Sequence, residues 1–212
     1  MDSLRTPIVN AVNAVNVEKE KEEDGRFEKF PFTLTCNSEC FESNVVLPQY
    51  RHWVWTMFGV QVKEMCRLLS AKEHGFKASV FHERCDGIAN TIVFAKSREG
   101  KVFGGFAGNK WDMSSGFVSD AAKKSFLFSV DEKMKFFIQQ NPEYAQKCNK
   151  DIGPTFGGNY DLSIADEANL NMNSCCCLGQ CYEVPANGDV SILSGQKNFS
   201  VLDYEVFQVI FK

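Results

Sequence analysis

A chain of 212 residues that is 44% hydrophobic and contains 19 phenylalanines suits one domain with an extension and can bury a sizeable aromatic core. Its formal net charge of -4 gives no general attraction to nucleic acid or to an anionic membrane, and no apolar run approaches the roughly 18 residues of a membrane span or forms a secretory signal. A soluble cytoplasmic protein is therefore expected, in which nine irregularly spaced cysteines read as reduced thiols rather than as a disulfide framework.

Residues 1–26 read as a mobile leader with a charged linker. Ala-Val-Asn occurs twice before Val17, and Glu18 to Asp24 is a run of Lys, Glu and Asp that favours water over a core. Residues 27–47 form an N-terminal extension with Phe30-Pro31-Phe32 and the pair Cys36 and Cys40, which lacks a second Cys or His pair to complete a zinc site. From Tyr50 to Leu69, the residues Val54, Phe58, Val62, Met65 and Leu69 recur at helical spacing, and Gly59 divides the pattern into two helices. Phe76, Ala78 and Val80 then alternate as a half-buried strand would, up to an Asp86-Gly87 turn.

Three apolar runs follow: Ile92 to Phe94, Val102 to Phe103, and Phe126 to Phe128. They read as buried strands of an antiparallel sheet, the first two joined by a hairpin at Ser97-Arg98-Glu99-Gly100. Gly104 and Gly105 remove side chains where a backbone or ring must come close. Lys135 to Ile138 and Asp161 to Ile164 are short strands, and Asn187-Gly188 and Gly195 to Asn198 are hairpin turns. In the last strand Leu202, Tyr204, Val206 and Ile210 share one face, whereas Asp203 and Glu205 give the other a wet start.

Little in this pattern points to bond-making chemistry. None of the three histidines, His52, His74 and His82, stands at zinc spacing. His82 with Cys85 and Asp86 resembles a base and nucleophile only on paper, because a strand points residues three apart to opposite faces. Gly104 to Gly108 lacks the Lys-Ser/Thr of a phosphate loop. Asp120, Asp151, Asp161, Asp166 and Glu167 offer calcium ligands but make no EF-hand loop. Cys175, Cys177 and Cys181 can share one side of a strand, one ligand short of a structural zinc site, and are the redox candidates. Trp111 and Phe117 on a Gly-rich loop would be the exposed aromatics of a sugar- or lipid-binding sandwich.

The succession Gly75-Phe76, Phe81-His82-Glu83-Arg84-Cys85-Asp86-Gly87, Thr91-Ile92-Val93, Val102-Phe103-Gly104-Gly105-Phe106, Trp111 and Phe126-Leu127-Phe128-Ser129 resembles the TLDc domain of eukaryotic oxidation-resistance proteins. Gly153-Pro154-Thr155-Phe156-Gly157-Gly158, Asp161-Leu162, Leu178-Gly179, Leu193-Ser194-Gly195 and Glu205-Val206-Phe207 continue the likeness, which covers about Pro48 to Phe211. His74-Gly75 and the run Cys175-Cys176-Cys177 depart from it.

The resemblance implies a mainly β (α+β) fold at residues 48–212, a two-layer antiparallel β-sandwich flanked by a few helices. It further implies a monomeric, non-catalytic protein-interaction module without cofactor or metal. Such a module binds the vacuolar-type proton ATPase, is recruited through it to endolysosomal or vacuolar membranes, and protects against oxidative stress. Asp86, Gly104, Gly105, Gly157, Gly158, Asp161 and Glu205 are its motif positions. The glycines are expected to serve the fold, and Asp86 and Glu205 to face a partner or cap a turn. The alternatives are a thiol-based redox protein and a carbohydrate- or lipid-binding sandwich.

Overall fold

The computed structural model describes residues 41–212, together with the backbone of two four-residue strands, Asn13–Asn16 (β1) and Thr33–Cys36 (β2). The remainder of the leader, the charged linker and the extension, with Phe30-Pro31-Phe32 and Cys40, lies outside the described residues.

Two antiparallel sheets pack together. The larger has the order β1, β2, Val62–Ser70 (β3), Val201–Phe211, Thr91–Ser97 (β4), Val102–Ala107 (β5), Phe126–Ser129 and Met134–Phe137. The smaller has the order Asn198–Phe199, Ser174–Cys176, Leu162–Ser163, Thr155–Phe156, Gln146–Lys147 and Phe117–Val118. In chain order these strands are β6 (Phe117–Val118), β7 (Phe126–Ser129), β8 (Met134–Phe137), β9 (Gln146–Lys147), β10 (Thr155–Phe156), β11 (Leu162–Ser163), β12 (Ser174–Cys176), β13 (Asn198–Phe199) and β14 (Val201–Phe211). Among the described residues three α-helices accompany them, α1 (Pro48–Thr56), α2 (Ala71–His74) and α3 (Ala78–Cys85), with a 3-10 turn at Pro142–Tyr144.

The larger sheet is covered on both sides, which is why its strands read as unbroken apolar runs. Val93, Ala95, Phe103 and Leu127 face the smaller sheet and α3. Ile92, Phe94, Phe126, Phe128 and Phe207 face residues 41–58, where Phe41 stacks on Phe94 at 5.6 Å and meets Phe207 edge-on at 5.4 Å. The expected β4–β5 hairpin is present. So are the short strands near Lys135 and Leu162.

Where the structure departs from the expected elements, the cause is visible. The pattern from Tyr50 to Leu69 holds one helix, α1, and then the strand β3. Against β14, Val206 lies opposite Leu69 and Phe207 opposite Arg67, while Ile210 lies opposite Glu64 and Phe211 opposite Val62. Leu68 and Lys63 are therefore extra residues, and two such bulges convert strand alternation into an apparent three-to-four spacing. Val62 and Met65 enter one core and Cys66 and Leu69 the other, as no single helical stripe would.

The expected strand after Phe76 is instead α3. Its buried residues Ala78, Phe81, His82 and Cys85 follow helical spacing over a longer window than the alternation at its start, and Asp166 Oδ1 accepts the Ala78 N–H at 2.7 Å. Asn187-Gly188 and Gly195 do turn the chain, with φ of +74 and +82, but neither turn joins two paired strands.

The expected wet side of β14 is inside the protein. Asp203 is 2% exposed and Glu205 0%, because residues 41–58 and α2 cover that end; Leu202 is the exposed residue there. Lys72 stands 3.7 Å from Asp203, whose carboxyl is held above its ordinary pKa by burial. Cys66 is disulfide-bonded, on β3 opposite Cys36 of β2, which corrects the expectation of reduced thiols throughout. Cys85, Cys148, Cys175, Cys176, Cys177 and Cys181 are outside any disulfide. Among the described residues no helix is long and apolar enough to cross a membrane.

Candidate functional site

The motif residues fall into two groups. Gly104, Gly105 and Glu205 belong to the interior of the sandwich. A Cβ on Gly104 would lie 1.7 Å from the Val93 carbonyl oxygen, and one on Gly105 would lie 2.7 Å from the Phe156 ring of the smaller sheet, so the glycines serve close approach as expected. Glu205 accepts hydrogen bonds from the Ser43 hydroxyl, the Asn44 N–H and Arg67 Nη1. It thereby fastens the segment before α1 onto the sheet, and the outward role expected for it is replaced by an internal one. Glu205→Ala leaves Arg67 and the Asn44 N–H without their buried acceptor, at an expected cost of about 2–4 kcal/mol. The corresponding fall in Tm, roughly 4–16 °C for a chain of this size, is readable by thermal denaturation.

The second group lies along the smaller sheet, with Asp86 bridged to Trp111 ahead of β6 and Gly157, Gly158 and Asp161 between β10 and β11. On one side, α3 carries His82 and ends at its C-cap residue Asp86, so the pair sits at a helix end and not on the expected strand. His82 Nδ1 lies 2.9 Å from Asp86 Oδ1, and Nε2 lies 2.8 Å and 3.0 Å from the carbonyls of Asn149 and Ile152. Three acceptors around one ring suit the imidazolium. Burial alone would lower its pKa, but Asp86 and the two carbonyls outweigh burial and the net shift is upward from 6.5. Cys85 points into the core, 0% exposed, and forms no nucleophile for this base.

A folded-state pKa raised above the unfolded value means that the stabilisation is complete below pH 6.5 and is lost as pH rises through the raised value. Tm should therefore fall between about pH 6 and pH 8, and His82→Gln should flatten that slope. A slope unchanged in the variant would show that the imidazolium does not fasten α3 to the 149–152 loop.

On the other side, Asp161 is 0% exposed. Its Oδ1 accepts the N–H groups of Gly179 and Gln180 at 2.8 and 2.9 Å, and its Oδ2 accepts that of Cys181 at 2.9 Å. Gly157, at φ +81, passes directly over this carboxylate, and a Cβ there would lie 1.9 Å from Oδ2. Gly158 lies against Tyr144, where a Cβ would be 3.2 Å from the tyrosine Cβ. Burial pushes the Asp161 carboxyl up to about 6 against the pull of its N–H donors.

Cys181 is also fully buried, and burial with the Asp161 charge pushes its thiol up to about 12. It does not join Cys175 and Cys177, which correct to a separate half-buried pair flanking the buried Cys176. No three His, Cys, Asp or Glu side chains stand together as metal ligands among the described residues.

Between these two anchors the surface carries rings. Phe117 is 44% exposed and Tyr144 42%, and the two rings meet edge-on at 5.0 Å. Lys147 Nζ stands 5.5 Å from the Phe117 centroid and 4.7 Å from that of Tyr160, and donates to the Tyr160 hydroxyl at 3.0 Å. Trp111 is not exposed as expected: it is 1% exposed and its indole N–H bonds Thr91 Oγ1 at 2.7 Å. Tyr144, Lys147 and Tyr160 were not legible in the sequence, since only the pairing of β6 with β9 and β9 with β10 brings them to Phe117. This arrangement is suited to holding another molecule by apolar contact and one fixed cation.

A two-sheet sandwich whose motif glycines and buried aspartate frame an exposed aromatic edge is a binding scaffold in its architecture. Residues 39–210 match the model of the TLDc domain, and the chain belongs to the TLDc domain family. The MTOR-associated protein MEAK7 of Danio rerio is 33% identical over 70 residues, a stretch that is 33% of this chain and 15% of that protein. The chain thus matches only a small part of that relative's length.

Proposed function

We propose that this protein is an interaction module that docks on a partner protein through the Phe117–Tyr144–Lys147 face, and that the partner is the vacuolar-type proton ATPase. The observation that carries the reading is a solvent-exposed pair of aromatic rings set on a frame held from within by Asp161 and by the His82–Asp86 pair. Family membership supports a protein-interaction role, and the pump is the partner that the family likeness implies. On this reading the monomer works in the cytoplasm, reaches endolysosomal or vacuolar membranes through its partner, and contributes to oxidative-stress protection by that route. The name of the zebrafish relative adds an mTOR-containing assembly as a second partner to be scored in the same experiment.

Affinity capture from lysate, followed by mass spectrometry, tests the reading. Proton-pump subunits should be enriched by the wild type and reduced about tenfold or more by Phe117→Ala with Tyr144→Ala, at unchanged Tm. Enrichment that ignores the double variant places the docking face elsewhere, and absence of pump subunits removes the pump.

A thiol role has one feature in its favour, the half-exposed free pair Cys175 and Cys177. Burial holds Cys175 protonated by raising its pKa, with Cys177 acting in the same sense, and the thiol is the slow form. Mild peroxide should leave Cys181 unmodified by mass spectrometry and Cys175 at most slowly oxidised. Rapid oxidation of either would favour redox sensing.

A further inference from the structure

We infer that the face around Lys147 takes an acidic segment of a partner protein, one that sets a carboxylate on the Lys147 ammonium and an adjoining large apolar side chain on Phe117 and Tyr144. The inference rests on the docking reading above and supplies the chemistry of its occupant.

Lys147 is held in place before any partner arrives. Its stem is half-buried and its ammonium is fixed between two rings and the Tyr160 hydroxyl. An ammonium has three N–H donors, and the Tyr160 oxygen accepts one. The others point to no acceptor among the described residues. A lysine already immobilised loses little further side-chain entropy when an anion arrives, which favours a specific pair over the usual weak surface contact.

The surroundings have the matching charge. Residues 107–124 and 146–150 carry Lys110, Lys123, Lys124, Lys147 and Lys150 in a chain of net charge -4. Of their two aspartates, Asp120 is 5% exposed and accepts the Ser125 N–H, whereas Asp112 is exposed and accepts the Ser114 N–H, so lysines outnumber exposed carboxylates in these segments. Glu143, exposed beside Tyr144 in the turn Pro142–Tyr144, and the exposed Asp151 bound where the acidic segment can lie. A basic surround steers an acidic segment in and disfavours a basic one. The apolar half of the recognition comes from Phe117 and Tyr144, aromatic surface of the kind that anchors interfaces.

The test is selection of random peptides of about a dozen residues, displayed on phage, against the immobilised full chain. Wild type should select sequences in which Asp or Glu adjoins Leu, Phe or Trp. Lys147→Glu should select Lys or Arg in place of the acid. Phe117→Ala should weaken wild-type-selected peptides about tenfold at unchanged Tm, and Lys147→Arg should retain them.

Selection without acidic enrichment, failure to select any peptide, or equal binding of the selected peptides to wild type and Lys147→Glu overturns the inference. So does retention on phosphatidylserine vesicles that depends on Lys147 when no peptide is selected, since the surface would then read lipid. Loss of pump subunits from the lysate experiment, with the acidic selection intact, would refute the pump and leave this surface standing.

Discussion

Alanine at Gly104 is expected to prevent folding of the domain. Gly104 sits in β5 between β4 and β7, opposite Phe94 on one side and Phe128 on the other. An added methyl would lie 1.7 Å from the Val93 carbonyl oxygen and 2.7 Å from the Phe128 ring. The ring can rotate, but the oxygen is part of the β4 ladder and moves only if β4 separates from its neighbours. Overpacking that side chains can absorb costs about 1–3 kcal/mol, and a clash with the backbone ladder exceeds that range. Total stability is only about 5–15 kcal/mol for most domains, so the variant should lose its sheet signal in circular dichroism and its soluble yield.

Gly105→Ala provides the internal comparison. There the obstructing atoms are the ends of Leu127 and Phe156, which can shift, and a folded protein with a lowered denaturation midpoint is expected. A folded Gly104→Ala protein with a Tm within a few degrees of wild type would show that β4 and β5 do not approach as described.

The contrast between these two glycines also shows which parts of the fold were legible in the chain. An adjacent glycine pair inside an apolar run signals close approach without naming the neighbour, and the neighbour decides the cost. The β4–β5 hairpin was readable because its turn and both runs are local. β3 was not, because Lys63 and Leu68 bulge only in response to β14, a strand distant in sequence. The same distance hid the burial of Asp203 and Glu205: alternation distinguishes two faces of a strand but does not say that residues 41–58 will cover the polar one. At the site, Gly157, Gly158 and Asp161 came from the family likeness. Their reason, a carboxylate receiving the N–H groups of the 179–181 loop, required coordinates. Tyr144, Lys147 and Tyr160 carry no local signal of exposure, because aromatic residues and lysine are as common over a core as at an edge.

Asp161→Ala is the substitution that tests whether the docking face has a frame at all. It removes the acceptor of the Gly179, Gln180 and Cys181 N–H groups in a place closed to water, and an expected cost of about 3–5 kcal/mol follows from orphaned buried donors and the vacated volume. Exchange of those three amides with deuterium should accelerate more than that of β14. Phe117-dependent capture should weaken with it, because Gln180 bonds Asn159 and Asn141 beside Tyr144. Asp161→Asn separates charge from shape. Burial pushes the folded carboxyl up to about 6, above its ordinary 3.8. Its linkage contribution is therefore complete below 3.8 and lost as pH rises through about 6. Asparagine keeps one acceptor oxygen and does not ionise. Its deficit relative to wild type should consequently shrink from about pH 4.5 to about pH 7.5, whereas the orphaned donors of Asp161→Ala persist at both. Urea denaturation of the three proteins at the two pH values reads this difference. A deficit for asparagine that grows with pH would mean that the ionised carboxylate is the favoured form inside the fold. The loop would then be held by charge, with no gain on acidification.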